Sequence, residues 1–201
     1  MTTRRTMHII RILLLLVLTS CSVNREVNMS ILETTDIHGV ILPYDFIEKK
    51  SLDASQASTY TYVKKVRQDK DIAILLDDGD NLQGQPEVYY YNFIDTVSPH
   101  LLPEVMNFMK YDAATAGNHD IETGHAVYDR LVKMYNFPLL AANAVDIKTG
   151  KPYFKPYCII EKKGIRVAVF GMVTPAIPNW LPYELYKGIK FEDMVVRNTC
   201  F

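Results

Sequence analysis

Three short polar clusters carry residue types able to do chemistry together: Asp36-x-His38-Gly39, Gly79-Asp80-Asn81 and Gly117-Asn118-His119-Asp120. Carboxylates, imidazoles and an amide oxygen form a donor set for hard-to-borderline divalent cations such as Mn²⁺ or Zn²⁺. An Asp-x-His spacing lets both side chains reach one ion from a loop bend, and the neighbouring glycines allow close backbone approach. The same residues also suit plain structural roles. Asp36 and Asp80 fit turn positions, and Asn118 or Asp120 fits the cap of a following helix. His119, between them in "AATAGNHDIETG", fits the capping reading less well.

The elements that must position these clusters follow from hydrophobic patterning. "MSILETTD" reads as a strand, and "IAILLDDGD" as a fully buried strand closed by acids and glycine. "QASTYTYVKKVRQ" places Tyr60, Val63 and Val66 on one helical face. "LLPEVMNFMK" predicts a helix with proline in its first turn, and "HAVYDRLVKMYN" predicts another ending before Pro138. "DAATAGNHD" and "FPLLAAN" contribute short strands. "YCIIEKKGIRVAVFGMVT" predicts two strands joined at Lys163-Gly164. Each cluster therefore follows a strand, and alternating strands and helices predict a layered α/β domain with largely parallel pairing. In such sheets, sites gather at the carboxyl ends of strands.

The stretch Asn81–Pro99 reads as irregular, and its "YYYNF" (89–93) as core packing beneath a long loop or as an aromatic platform for a nucleobase. His100, beside Pro99, reads as a solvated loop residue. Trp180 among prolines fits either a surface or an interface. Cys158 and Cys200 are two distant cysteines with no ligand spacing, read as independent small side chains.

A net charge of −1, with basic residues no more clustered than pairs such as Lys162-Lys163, gives no footprint for a nucleic-acid polymer. No segment points to a protein partner. The N-terminus, "MTTRRTMHIIRILLLLVLTSC", has a basic start and an apolar run too short to span a bilayer, as in a signal peptide. Leu18-Thr19-Ser20-Cys21 resembles the lipobox of bacterial lipoproteins, which implies lipidation of Cys21 after removal of residues 1–20. A plain secretory signal is the alternative. The expected organisation is a signal peptide (1–20), a lipidated tether (21–28) and a domain from 29 to 201. The expected place is the bacterial cell envelope, outside the cytoplasm and held to the membrane by lipid.

"TTDIHG", "DDGDNLQGQ" and "AGNHDIETG", in that order, resemble the calcineurin-like metallophosphoesterases. More narrowly, they resemble the bacterial 5′-nucleotidase and 2′,3′-cyclic nucleotide phosphodiesterase branch, as do "AANAV" around Asn143 and "GIRVAVFGMVTP". The resemblance implies a layered β-sandwich flanked by helices and hydrolysis of nucleotide or other phosphoester substrates. It also implies two divalent ions. Asp36 and His38 would bind the first, Asp80 would bridge both, and Asn118 would bind the second. His119 would act on the leaving group or transition state without binding metal, oriented by Glu122 or by the competing Asp120.

The five histidines are His8, His38, His100, His119 and His125, so the family's downstream Gly-His-x-His motif is not in this sequence. Neither is its C-terminal nucleotide-recognition domain. The resemblance thus implies the N-terminal part of that architecture, with the fold incomplete at the C-terminus. His125 could stand in as a ligand or be a helix-surface histidine. A non-catalytic envelope lipoprotein keeping the fold as a binding or structural module is the second reading.

Overall fold

The computed structural model of the chain describes residues 26–195. Cys21, Cys200 and the leader lie outside them. The strands are β1 (Met29–Thr34), β2 (Tyr44–Asp45), β3 (Lys50–Ser51), β4 (Ile72–Asp77), β5 (Ala113–Thr115), β6 (Leu139–Leu140), β7 (Ala144–Asp146), β8 (Tyr157–Lys162), β9 (Ile165–Phe170) and β10 (Ile189–Phe191). The helices are α1 (Gln56–Asp69), α2 (Pro86–Tyr89), α3 (Leu101–Met109), α4 (Asn118–Glu122), α5 (His125–Met134) and α6 (Ile177–Trp180).

The central sheet has the order β1-β4-β5-β6, and every pair in it is parallel. Strand β4 is interior, which explains its unbroken apolar run: one face meets helices and the other meets a second β layer. Leu75 and Ala114 pack with Val63 of α1, Leu102, Met106 and Met109 of α3, and Val127 and Leu131 of α5. On the opposite face, Ile72 and Ile74 pack with Ile160, Cys158, Val167 and Val169 of the antiparallel β8–β9 hairpin. The Lys163-Gly164 turn has positive φ at both residues (51° and 79°), the geometry of a two-residue hairpin connection. Lys162 anchors the hairpin by donating to the Ala73 carbonyl at 2.8 Å and to Asp112 at 2.7 Å. The layered α/β arrangement predicted from the sequence is therefore the one observed.

Helix starts follow local chemistry. Ser55 caps α1, its hydroxyl accepting from the Ser58 amide at 3.1 Å. Buried Asn143 ties three segments: its Nδ2 donates to the Val173 and Glu192 carbonyls, and its Oδ1 accepts from the Val173 amide. Among the described residues, no helix is long and apolar enough to cross a membrane.

Two expectations change. The stretch after Asn81 is partly helical: α2 runs directly into a π-helical turn at Tyr90–Ile94. Three of its four aromatics are not core, and the half-buried Tyr91 packs on the His100 ring. Val88 and Asn92 are buried, whereas Tyr89, Tyr90 and Phe93 are 58%, 47% and 47% exposed. The helical winding turns those rings outward, a rotation that the residue types alone do not reveal. Trp180 is also exposed, at 58%.

His100 is not solvated but fully buried. As the residue preceding α3, it uses Nδ1 to accept the Leu102 amide at 3.1 Å, and Nε2 bonds Asn92 Oδ1 at 2.9 Å. Those partners require the neutral ring with its proton on Nε2.

Burial, with a smaller contribution from Arg130, lowers the His100 imidazole to about 4. An unfolded histidine takes up its proton near pH 6.5, which the folded chain refuses until about 4. Stability present above pH 6.5 is therefore lost as pH falls through that window, by on the order of 3 kcal/mol at its foot. Urea denaturation at pH 7 and pH 4.5 should show a clearly smaller loss for His100→Gln than for the native chain. Equal losses would refute this role for His100.

Candidate active site

Because β1, β4 and β5 are parallel neighbours, their C-terminal loops emerge side by side. Backbone hydrogen bonds stitch them together: Asp36 N donates to Gly79 O at 3.1 Å, and His38 N to Asp80 O at 3.0 Å. His119 N donates to the Asp80 Oδ1 carboxylate at 2.8 Å. The approach is close enough to require glycine. A Cβ on Gly79 would lie 2.4 Å from Gly117 N, and one on Gly117 would lie 2.2 Å from Asp80 Oδ1. Asp36, His38 and Asp80 themselves sit at φ of 52°, 48° and 59°, a left-handed conformation uncommon for residues with side chains. Three of the four expected ligands are thus held in unfavourable backbone geometry, which persists only where surrounding structure enforces it.

Two buried carboxylates do that enforcing. Asp120 Oδ2 accepts from Asp80 N and Gly117 N, each at 2.9 Å. Its Oδ1 accepts from Asn81 N at 3.0 Å and Leu82 N at 3.1 Å. Burial pushes the Asp120 carboxyl up from its ordinary value, and the amide donors oppose it. Asp77, at the end of β4, accepts from Gly79 N and Asn81 Nδ2 on Oδ1, and from Thr34 on Oδ2. Burial pushes it up to about 7. Sequence reasoning did not single out Asp77; its signal was an acid closing an otherwise apolar strand.

Helix α4 then orients the catalytic candidate. His119 and Glu122 are three residues apart on it, and His119 Nδ1 lies 2.7 Å from Glu122 Oε2. Of the two acids considered as partners for this ring, Glu122 is the one beside it, while both Asp120 oxygens are engaged by loop amides. His38 and His119 approach edge to face, ring centres 5.2 Å apart. Asp36 Oδ1 is 3.6 Å from His38 Nε2, and Asp36 Oδ2 accepts from the Thr35 hydroxyl at 2.5 Å. Asn118 opens α4 directly after Gly117.

The local electrostatics suit a cation. The Asp78 carboxyl is raised first by burial and then by the like charges of Glu33, Asp36 and Asp80. Among the described residues, the ion pairs put no Lys or Arg on Asp36, Asp78 or Asp80. Carboxylate, imidazole and amide donors therefore gather where a positive charge is missing, which fits divalent-metal chemistry. Among the described residues, no three His, Cys, Asp or Glu side chains are grouped closely enough to hold a metal ion by themselves. The donor chemistry fits, and the geometry is that of open loops.

His125 stands apart from this cluster. Its Nδ1 faces Asp129 and Tyr153, and its Nε2 lies 2.9 Å from the Lys187 carbonyl oxygen, so both nitrogens are occupied by contacts that hold α5 to the segment before β10. A cavity of about 470 Å³ opens beside His119 and Glu122, lined also by Leu82, Gln83, Gly84, Thr123, Tyr89 and Phe93.

Comparison with known proteins agrees with this geometry. The chain is 34% identical over 186 residues to the trifunctional nucleotide phosphoesterase protein YfkN of Bacillus subtilis (strain 168), covering 85% of this chain and 13% of that protein. It is 30% identical over 174 residues to the 5′-nucleotidase of Vibrio cholerae serotype O1, covering 85% of this chain and 30% of that one. The chain thus spans less than a third of the length of either relative. The crystal structure of calcineurin-like phosphoesterase YfkN from Bacillus subtilis superposes with a TM-score of 0.75 at 32% identity, over 86% of this chain and 56% of that one. The sequence model of the calcineurin-like phosphoesterase family matches residues 29–186, which include every loop just described, and the chain belongs to that family.

Proposed function

We propose that this chain carries metal ligands and the catalytic histidine of a phosphoesterase that hydrolyses nucleotide phosphoesters, either 5′-monophosphates or 2′,3′-cyclic species. The observation that carries the reading is the meeting of Asp36, His38, Asp80, Asn118 and His119 on three stitched loops, with Glu122 bonded to His119. The relatives named as nucleotide phosphoesterase and 5′-nucleotidase support the substrate class. Asp36, His38, Asp80 and Asn118 would hold two divalent ions, which supply charge neutralisation on the phosphate and an activated water. The chain's own contribution is positional. Glu122 fixes the His119 ring through Nδ1, which leaves Nε2 to exchange a proton with the departing ester oxygen. Asp120 and Asp77 keep the loops in register.

Manganese titrations with adenosine 5′-monophosphate and 2′,3′-cyclic adenosine monophosphate test this by phosphate and nucleoside release. Asp80→Asn keeps an oxygen acceptor for the His119 amide and tolerates positive φ, yet removes the charge; it should bring metal-stimulated turnover to background. Turnover equal to the native chain's would sink the assignment.

The two acids near His119 separate in kinetics. Glu122→Gln should lower kcat by roughly ten- to hundredfold with little change in the melting temperature. Asp120→Asn should lower the melting temperature itself, because an amide nitrogen must then face backbone N–H groups. The opposite pattern would reassign the two roles.

We also propose that the chain is held outside the cytoplasm by acylation at Cys21, a reading supported by the basic start, the short apolar run and Leu18-Thr19-Ser20 before the cysteine. Cys21→Ala should move the protein from the membrane pellet to the soluble fraction. A native chain that is already soluble and carries no acyl group would overturn the anchor.

A further inference from the structure

The loops that carry the candidate ligands leave the C-terminal ends of β1, β4 and β5, and the opposite ends of these parallel strands gather a different chemistry. Arg67, Lys70, Lys110, Lys133, Lys162 and Lys163 are scattered along the sequence, and the fold brings them to that one pole. Asn28, where the chain enters β1, donates its amide to Asp71 Oδ2 at 3.2 Å, and Lys163 reaches Asp71 Oδ1 at 3.1 Å. Lys162 holds Asp112, the residue before β5. Arg67, in the last turn of α1, donates to the Met109 and Lys110 carbonyls at the end of α3, at 2.7 and 2.8 Å. Asn107, in the last turn of α3, donates to the Met134 carbonyl at 2.8 Å, which brings the end of α5 and Lys133 to the same place.

The charges at this pole do not cancel. Lys70 is matched by Asp69, Lys162 by Asp112 and Lys163 by Asp71. Arg67 answers the carbonyls that end α3. Glu161 and Arg166 face each other across the hairpin, and Arg25 and Glu26 offset each other before β1. Lys110 and Lys133 are exposed, and among the described residues their ammonium groups enter no ion pair. The site loops have the reverse balance, because Asp36, Asp78 and Asp80 meet no Lys or Arg ion pair among the described residues. A net charge of −1 for the whole chain hides this polarity.

Cys21 is seven residues before Asn28. Fully extended, that length reaches at most roughly 25 Å, so an acyl group at Cys21 keeps the bilayer near this pole. Strand β4, six residues long, carries the site loops roughly 20 Å beyond it. Putting those loops on the bilayer would require the segment to run back along the length of the sheet. We infer that the pole around Asn28, Lys110, Lys133 and Lys163 docks on anionic phospholipid headgroups of the bilayer that holds the acyl group, seating the domain with the candidate site turned away from the membrane. This rests on the acylation of Cys21 proposed above. Headgroup phosphates attract the surplus ammonium groups and repel the carboxylates of the site loops, so both poles favour one orientation. Each basic side chain near an anionic surface favours that orientation roughly fivefold, so Lys110 and Lys133 together favour it roughly thirtyfold. That is enough to orient a chain which the acyl group already keeps at the surface.

The test is amine labelling of the native acylated chain on vesicles, read lysine by lysine by mass spectrometry. On vesicles containing phosphatidylglycerol, Lys110, Lys133 and Lys163 should label at least roughly fivefold more slowly than on phosphatidylcholine alone. Lys49 and Lys50, in the β2–β3 hairpin that follows the Asp36–His38 loop, should label alike on both. High salt should abolish the difference. The Lys110→Gln/Lys133→Gln double variant should lose the protection at Lys163 while still pelleting with the vesicles, because the acyl group is untouched. Lys49→Gln/Lys50→Gln should keep it.

Equal labelling on the two vesicle types overturns the inference, and so does protection at Lys49 and Lys50 in place of the opposite pole. Protection at Lys163 that survives in the double variant overturns it too. The mass of the N-terminal peptide reports acylation separately: a chain without the acyl group overturns the anchor itself and, with it, the orientation that rests on it.

Discussion

The Asp120 carboxylate and its four amide donors hold together what the rest of the site depends on. Two donors come from the loop after β4 on one oxygen's side, Asn81 and Leu82, and two come from Asp80 and Gly117 on the other. A buried carboxylate left without donors would be costly, and buried loop amides without an acceptor would be too. Each problem solves the other, and the shared solution locks the loop after β4 to the start of α4. Asp80 and His119 then have a fixed relation, expressed in the 2.8 Å bond from the His119 amide to the Asp80 carboxylate.

The strain in the site follows from that lock. Asp36, His38 and Asp80 sit in the left-handed region, and Gly79 and Gly117 meet at distances that no side chain permits. Of the six non-glycine residues at positive φ among the described residues, three are these expected ligands, and Lys49, Lys110 and Lys163 are the others; local preference is met where Ser55 caps α1 and where the two-residue Lys163-Gly164 turn has the expected hand. Departures of this kind are expected where function rather than stability sets the geometry. The layers share the load. Helices on one face and the β8–β9 hairpin on the other clamp β4, so its C-terminal end has little freedom to relax.

The site also has an uneven chemical landscape. Around Asp36, Asp78 and Asp80 the environment is anionic, with no Lys or Arg ion pair among the described residues, whereas the neighbouring cavity is lined by the Tyr89 and Phe93 rings together with His119 and Glu122. His119 lies at their junction, turned by Glu122 on one side and packed edge to face with His38 on the other.

That three polar clusters close strands and would adjoin was legible without coordinates, because acids, histidines and glycines at strand ends form an unusual pattern and the apolar periodicities around them are strong. Strand β4, helices α1, α3 and α5 and the final hairpin were likewise readable, since their burial follows from period and composition. Other features required the folded chain. His100 looked like a solvated neighbour of proline, and only the approach of Asn92 to the start of α3 made it a buried cap. "YYYNF" carried no sign of which rings face out, because a π-turn changes the rotation per residue. The division between Asp120 and Glu122 could not be read from spacing either, since both lie within one turn of His119. Sequence determines which groups a segment owns and which face it must bury; which acid meets a ring and which meets an amide is decided by segments 40 residues away, through contacts that exist only once the sheet has brought the loops together.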